Sequence, residues 1–370
     1  MTAFIKEKYL LLLFFLLLIV AVNAQNFVVN SIIDAVDANP GNGICDDGLG
    51  NCSLRAAIQE SNALGGAHTI TLPAGIYTLT LGGVGENASA TGDLDIISNI
   101  TINGVTPSVT IIDVNNIDRG FHILPVGVLA ILNTSIKKGS SLKDHGGGFL
   151  NEGTLSINYC HVLENISTLP VGATYSGGFG GGIANFGNLT IENSTLFLNE
   201  AIGGRGINGQ NGGGGGGSTP GFGGAIYNDL NGLIALKNST ISNNNAFGGR
   251  FSAGSANGGS FNFAGKRGAG LLGGNGGTAG GGAGSNAGVF SGGGGGGSSG
   301  GFGGIGGIGG YGSGGGGRGA RSGGGTSGPG GLGGFGAGQG SGPCCSSGGG
   351  GGGGAGFGGG IFNNGGNITS

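Results

Sequence analysis

The stretch GGGIANFGNLTIENSTLFLNEA, residues 180–201, contains the pattern that decides the fold. It opens with glycines and an apolar residue, reaches an asparagine and a glycine turn, and continues as short runs that alternate apolar and polar residues. The same skeleton begins again at Gly146, Gly223 and Gly358. A unit of this length cannot bury its own apolar face, whereas stacked units can. The repeat therefore predicts stacked coils rich in short strands.

The copies are unevenly spaced, and the extra residues always fall at one place. The separations of 34, 43 and 135 residues lie between the equivalent positions Phe149, Ile183, Ile226 and Ile361. All of the excess follows the last asparagine of one copy and precedes the glycine pair of the next. A loop that leaves from one corner adds little entropic cost per residue. The pattern predicts an all-β parallel β-helix with coils over 67–245, a glycine-rich insertion over 246–355 and a further, truncated coil over 356–370.

Asparagine recurs where each coil should bend, and asparagine tolerates the left-handed backbone that a sharp corner requires. Side chains at equivalent corners can also bond to one another along the stack. The predicted corner residues are Asn151, Asn185, Asn228, Asn363, Asn199 and Asn243. Leu189 and Ile191 are two residues apart, as expected of side chains on the inward face of a strand. Leu233 and Leu236 are three residues apart, so their spacing departs from this alternation by one residue.

The insertion over 246–355 is mostly glycine and contains five basic residues and no acid. Its apolar residues are spaced by three, at Phe302, Ile305, Ile308 and Tyr311, and again at Leu332 and Phe335. An extended helix with three residues per turn places such residues on one stripe. The insertion is therefore either a set of packed polyglycine-II-like runs or a disordered loop.

The first residues have the pattern of a secretory signal peptide. Lys6 and Lys8 precede an apolar run that ends at Val22, and small residues lead to a predicted cleavage site after Ala24. The run is short for a spanning helix, which needs about 20 apolar residues. Once residues 1–24 are removed, we expect an exported chain that does not span a membrane. The formal net charge of −3 gives no reason to expect nucleic acid as a partner.

Residues 25–66 are predicted to cap the first coil, whose strand edges would otherwise be open to association. Ser53 can begin a helix with an apolar face of Leu54, Ala57 and Ile58, and Arg55 and Glu60 are expected at its surface. Cys45 and Cys52 are close enough in sequence to form a disulfide in an exported chain. Cys160 is expected to be buried, and the pairing of Cys344 and Cys345 stays open.

The phrase CSLRAAIQESN, from Cys52 to Asn62, resembles the CSLREA motif of bacterial exported surface proteins, with Ala56 in place of its glutamate. The coils resemble repeats of polymorphic outer membrane proteins and of pectin-lyase-like right-handed β-helices. The resemblance implies a right-handed parallel β-helix that is secreted or held at the bacterial surface. It also implies an adhesin-like role, because many proteins of these families are adhesin-like and most have no known chemistry.

Two groups of residues are candidate sites. Asp46, Asp47 and Asn51 offer oxygen ligands for Ca²⁺, but a polar turn beside the disulfide is the favoured interpretation of these residues. Polysaccharide lyases on the β-helix fold combine a carboxylate cluster with a basic residue, and the corresponding candidates here are Asp93, Asp95, Asp113 and Arg119. The histidines show no metal-binding spacing in the sequence; they are His68, His122, His145 and His161.

The sequence favours a structural, adhesin-like protein that presents corner loops to an extracellular glycan or surface protein. The alternative is a carbohydrate-active enzyme, a polysaccharide lyase or hydrolase, on the same fold. No cofactor other than Ca²⁺ is suggested by any motif.

Overall fold

The computed structural model describes residues 24–142, 145–171, 178–209, 214–253, 266–269, 273–278, 282–296, 303–320, 329–342 and 349–369. The predicted signal peptide lies outside these residues apart from Ala24, as do Phe302, Cys344 and Cys345. The regular secondary structure of the described chain is almost wholly β, with one helix and five parallel sheets. Within each sheet, the spatial order of the strands follows their order in the chain.

The three longest sheets each receive a strand from nearly every repeat. Sheet 1 contains β1 (Asn26–Val28), β2 (Ala67–Thr71), β5 (Asn99–Asn103), β8 (Val128–Leu132), β12 (Thr154–Asn158), β17 (Asn188–Glu192), β22 (Leu233–Lys237) and β27 (Asn367–Thr369). Sheet 2 contains β3 (Gly75–Thr78), β6 (Thr110–Asp113), β9 (Ser135–Lys137), β13 (His161–Leu163), β18 (Thr195–Phe197) and β23 (Thr240–Ser242). Sheet 3 contains β4 (Leu94–Ile96), β7 (Phe121–Ile123), β11 (Phe149–Asn151), β16 (Ile183–Asn185), β21 (Ile226–Asn228) and β26 (Ile361–Asn363).

Two shorter sheets complete the repeats. Sheet 4 contains β10 (Ser140–Ser141), β14 (Ile166–Thr168), β19 (Glu200–Ile202) and β24 (Asn245–Phe247). Sheet 5 contains β15 (Gly178–Phe179), β20 (Gly221–Phe222) and β25 (Gly356–Phe357). From Phe149 to Phe357, three successive repeats visit sheets 3, 1, 2, 4 and 5 in that order, and β26 and β27 then return to sheets 3 and 1.

The register of sheet 3 aligns the copies in the way that the sequence predicts. Phe149 pairs with Ile183, Ile183 with Ile226, and Ile226 with Ile361. The long insertions all leave the stack between a strand of sheet 4 and a strand of sheet 5. They follow β14, β19 and β24, and the last of them runs from 248 to 355.

The core is built from alternate residues of the strands, and β-branched and leucine side chains suit that half-buried surface. In sheet 1, Leu155, Leu189 and Ile234 form one inward row, and each is at most 2% exposed. Full burial of each such side chain contributes about 1.5–3 kcal/mol. The prediction that Leu233 faces the core is wrong, because Leu233 pairs with Asn188 and is 48% exposed. Ile234 and Leu236 alternate without a slip.

The coils bend at residues with a left-handed backbone. Between sheets 1 and 2 the bend falls on Asn133, Tyr159, Asn193 and Asn238, with φ between 49° and 55°. Between sheets 2 and 4 it falls on Lys138, Glu164, Leu198 and Asn243, with φ between 53° and 57°. Asparagine is the residue that tolerates this conformation best after glycine, which explains its frequency at these bends.

Helix α1 (Leu54–Leu64) begins as predicted, because the Ser53 hydroxyl accepts a hydrogen bond from the Ala56 N–H at 3.0 Å. The predicted disulfide between Cys45 and Cys52 is confirmed. The expectation that Arg55 and Glu60 lie at the surface is wrong, since both are fully buried. Glu60 accepts hydrogen bonds from the N–H groups of Gly41 and Gly43, which fold over the helix. In the part of the chain that the structure describes, no helix combines the length and apolar character needed to cross a bilayer.

The glycine-rich segments bond to their neighbours with a period of three. Gly214 and Gly217 donate to Gly296 and Gly293, at 2.9 and 2.8 Å. The two residues between them donate elsewhere, Gly215 to Gly349 and Gly216 to Ile207. Successive N–H groups that point to three different neighbours are expected of an extended helix with three residues per turn.

Candidate functional site

The outermost part of the glycine-rich region is a layer of three neighbouring segments, 282–290, 303–311 and 329–335. The first two run parallel, because Gly284 donates to the carbonyl of Ile305 and Ala287 to that of Ile308, both at 2.9 Å. Gly309 donates to the carbonyl of Leu332 at 2.9 Å and joins the third segment to the second.

Each outer segment turns at an aromatic residue and returns as a run of mostly glycine beneath the layer. Gly307 donates to Gly294 at 2.8 Å, Gly316 to Gly307 at 2.9 Å and Gly331 to Gly316 at 2.8 Å. A Cβ at Gly316 would lie 2.0 Å from the carbonyl oxygen of Gly294, closer than any contact allows. The inner runs therefore need glycine because the segments approach backbone to backbone.

The outer face carries an exposed set of apolar side chains, which we name the apolar layer. Its members are Val289 (61% exposed), Ile305 (49%), Ile308 (44%), Tyr311 (47%), Leu332 (57%) and Phe335 (70%). The rings of Tyr311 and Phe335 are stacked, with centroids 5.6 Å apart. Contiguous exposed apolar surface marks interaction sites more often than isolated side chains do.

A column of aromatic rings connects the apolar layer to the coils. Tyr311 stacks on Phe357, with centroids 5.4 Å apart, and Phe357 stacks on Phe222 at 5.3 Å. Phe179, Phe222 and Phe357 occupy equivalent positions in sheet 5. The layer is thus held by packed side chains rather than by a tether, as a preorganised binding surface requires.

A second candidate is a polar cluster on the outer side of sheet 3, at its first two strands. Asp95 lies next to His122 in the register of β4 and β7. Ligand atoms of Asp93, Asp95 and His122 all lie within 4.8 Å of one another. His122 Nδ1 is 3.5 Å from Asp95 Oδ1, and its Nε2 is 3.0 Å from Glu152 Oε2. Arg119 Nε donates to Asp93 Oδ2 at 2.6 Å.

Burial dominates the electrostatics of this cluster. It raises the pKa of Asp93 to about 7, even though Arg119 favours the charged form. It also raises the pKa of Asp118, the neighbouring carboxyl group. Burial lowers the pKa of His122, but the carboxylates of Asp95 and Glu152 outweigh that effect, and the net pKa is raised. In this largely enclosed cluster, carboxyl groups therefore outnumber cationic groups.

The structure brings together only part of the predicted acidic site. Asp93, Asp95 and Arg119 meet, whereas Asp113 lies in sheet 2, 3.3 Å from the ammonium groups of Lys137 and Lys138. His122 and Glu152 were not predicted as members. Alignment of Leu94–Ile96 with Phe121–Ile123 as equivalent strands would have placed His122 beside Asp95.

The residues proposed for Ca²⁺ form a hydrogen-bonded turn. Asp46 Oδ1 accepts from the N–H groups of Gly48 and Gly50, each at 2.8 Å. Asp47 Oδ1 accepts from Leu49 at 2.8 Å, and these backbone bonds lower the pKa of Asp47. The Asn51 amide donates to Asp47 Oδ2 at 3.1 Å. The arrangement matches the polar turn beside the disulfide.

Five of the six predicted corner asparagines belong to two ladders that run along the stack, and Asn165 and Asn244 complete the second. In the first, Nδ2 of one residue donates to Oδ1 of the next, at 2.7, 2.7 and 2.9 Å, along Asn151, Asn185, Asn228 and Asn363. In the second, the same bonds of 2.9 Å run along Asn165, Asn199 and Asn244. Asn243 forms the left-handed bend that the corner prediction gave it and is exposed, and the neighbouring Asn244 takes the ladder position.

Both ladders pair buried amides from coil to coil, apart from Asn151 Oδ1 at the start of the first ladder, which accepts no hydrogen bond within the described residues. They belong to the architecture, so the apolar layer and the polar cluster remain the candidate sites. No protein-family model, curated protein or solved structure matches this chain. The resemblance of the segment Cys52–Asn62 and of the coils to surface-protein families therefore stays a prediction.

Proposed function

We propose that this chain is an exported, adhesin-like right-handed parallel β-helix whose glycine-rich insertion presents the apolar layer to an extracellular polysaccharide. Export rests on the pattern of residues 1–24. The β-helix rests on the constant visiting order of the sheets. We propose a right-handed coil because connections between parallel strands of one sheet are almost always right-handed.

The single observation that carries the binding role is the exposure of the apolar layer. Six apolar side chains stand at 44% to 70% exposure on segments whose backbones are fixed by hydrogen bonds. Aromatic rings supply large, rigid contact area at low entropic cost, and tyrosine adds a polar tip. Sugar rings present flat C–H faces that pack against such side chains.

The geometry of the layer also suits a polymer. Ile305, Ile308 and Tyr311 follow one another at intervals of three residues, about 9 Å apart along an extended threefold helix. A flat surface with evenly spaced contacts favours a ligand that repeats, because each additional sugar can reach another side chain. Multiple weak contacts of this kind add through effective concentration.

A binding assay tests the proposal directly. The purified chain is incubated with insoluble cellulose and chitin, soluble xylan and polyuronates, and immobilised matrix proteins. We expect sedimentation or retention with at least one polysaccharide. The double variant Tyr311→Ser/Phe335→Ser should weaken that binding at least about tenfold, because it removes both stacked rings.

The matched control is Val126→Ser, which changes a side chain that is 78% exposed on an early coil, outside the apolar layer. It should bind like the original chain. Equal binding by the double variant, or binding to proteins alone, contradicts the proposal.

The enzyme alternative rests on the polar cluster, which is poorly placed for a polymer. The side chains of Asp93, Asp95 and His122 are only 5%, 0% and 12% exposed. A polysaccharide chain needs an open groove beside the reacting groups. Release of unsaturated or reducing ends from polyuronates in the same assay would nevertheless favour the enzyme over the adhesin.

A further inference from the structure

Asp95 holds a carboxylate oxygen in an unusual environment. The side chain is fully buried, and Oδ2 accepts a hydrogen bond from the Ser89 N–H at 2.9 Å. Within the described residues, Oδ1 accepts no hydrogen bond. The Nδ1 atom of His122 lies 3.5 Å from this oxygen. A buried carboxylate oxygen without a partner is destabilising, and such an atom needs a cation or a donor beside it.

Glu152 fixes the orientation of the imidazole that faces Asp95. Its Oε2 is 3.0 Å from His122 Nε2, so it can accept the ring proton at that nitrogen. The neutral ring then presents the lone pair of Nδ1 toward Asp95 and Asp93. A carboxylate that holds the far nitrogen of a histidine is the usual arrangement around a metal-bound imidazole.

We propose that Asp93, Asp95 and His122 bind a divalent transition-metal ion such as Zn²⁺, and that Glu152 is a positioning residue for His122. One atom from each of the three ligands lies within 4.8 Å of the others, so a single ion can reach all three. Arg119 occupies Oδ2 of Asp93, and the carboxylate has a second oxygen for the ion.

The donor set selects the class of metal. Zn²⁺ binds imidazole nitrogen together with carboxylate oxygen, and four ligands are sufficient for it. Ca²⁺ requires six to eight oxygen ligands, which three side chains in an enclosed site do not supply. Two carboxylates and one imidazole therefore favour Zn²⁺ or a similar ion over Ca²⁺.

Such an ion would join separate parts of the first coils. Asp95 lies on β4, His122 on β7, and Asp93 is in the turn before β4. The same turn receives hydrogen bonds from Arg55 of helix α1, through the carbonyls of Ser89 and Gly92. The site is thus placed to stabilise the junction between the cap and the coils.

Isothermal titration with Zn²⁺ tests the proposal, on the mature chain with Cys344→Ser and Cys345→Ser so that those thiols bind no metal. After EDTA treatment and dialysis, we expect one ion per chain and a rise in Tm with added Zn²⁺. Co²⁺ in its place should give the visible absorption of a low-coordinate nitrogen and oxygen site.

Substitutions distinguish the proposed metal ligands from residues outside the site. His122→Gln and Asp95→Asn should each weaken Zn²⁺ binding at least about a hundredfold, and Glu152→Gln about tenfold to a hundredfold. His161→Gln and Asp113→Asn are matched controls outside the cluster and should leave it unchanged. Circular dichroism of each variant without metal checks that the fold is retained.

Three results would overturn the proposal. The first is no heat of binding and no Co²⁺ spectrum at millimolar metal. The second is Zn²⁺ binding by His122→Gln that equals that of the parent chain. The third is tighter binding of Ca²⁺ than of Zn²⁺.

Discussion

Arg55 Nε and Asp34 Oδ1 lie 2.6 Å apart, and both side chains are completely buried. The remaining donors of Arg55 reach the carbonyls of Ser89 and Gly92 at 3.0 and 2.9 Å. Asp34 Oδ2 accepts from the N–H groups of Thr80 and Leu81. The arginine of the CSLR phrase is therefore the centre of a network that ties helix α1 to two distant loops.

Replacement of Arg55 tests how much this network contributes. Arg55→Met keeps the length of the side chain but leaves Asp34 as an uncompensated buried charge. We expect the free energy of unfolding to fall by about 3–5 kcal/mol, as measured by urea denaturation. Lys137→Met is the matched control, because the ion pair of Lys137 with Asp113 is partly exposed and should contribute about 0–1 kcal/mol. Equal losses in the two variants would contradict a special role for Arg55.

A substitution at the centre of the first asparagine ladder should also destabilise the fold. Asn185→Ala removes the acceptor of Asn151 and the donor to Asn228, and all three residues are fully buried. The groups left unpaired should lower the free energy of unfolding by about 1–3 kcal/mol. Asn103→Ala provides the comparison, because its bond with Asn133 is exposed and water can replace it. A loss of the same size at Asn103 would show that burial of the ladder is unimportant.

The glycine-rich segments should tolerate no side chain between their backbones. Gly316→Ala would place a Cβ 2.0 Å from Gly294 O, whereas Gly82→Ala meets nothing within 4 Å. We expect Gly316→Ala to reduce hydrogen-exchange protection over 291–296 and 303–319 about fivefold to a hundredfold, the effect of about 1–3 kcal/mol of overpacking. Protection in sheet 1 should stay the same in both variants. Unprotected amides throughout this region in the parent chain would show that the segments are not packed.

The repeats could be predicted from the sequence because their determinants are local. Apolar alternation around Leu189 and Ile191 sets the inward face, and glycine with asparagine marks the bends. Where local signals were ambiguous, the sequence did not separate the asparagines that bend the chain from those that form the ladders. Three consecutive asparagines, 243–245, gave no local reason to prefer Asn244 over Asn243 for the ladder. Only the register with Leu198 and Asn199 distinguishes the bend from the ladder position.

The burial of Arg55 and the site around His122 could not be predicted in the same way. Nothing in the helix itself shows that Asp34 and the turn at Gly92 will cover Arg55, since both lie more than 20 residues away. His122 meets Asp95 through the pairing of two early coils with irregular spacing. Long-range register, rather than local propensity, decides both contacts.

Among the described cysteines, Cys160 carries a free thiol, and it is buried in the core. Burial raises its pKa to about 12, well above the ordinary value for a thiol. Because the thiolate is the reactive form, its fraction at pH 8 should be about 10⁻⁴. In the variant Cys344→Ser/Cys345→Ser, we expect no alkylation by iodoacetamide at pH 8 in the folded state. Complete labelling is expected in guanidinium chloride, and mass spectrometry distinguishes the two states. Rapid labelling of the folded chain would mean that the interior of the coil at Cys160 opens to solvent far more often than its packing indicates.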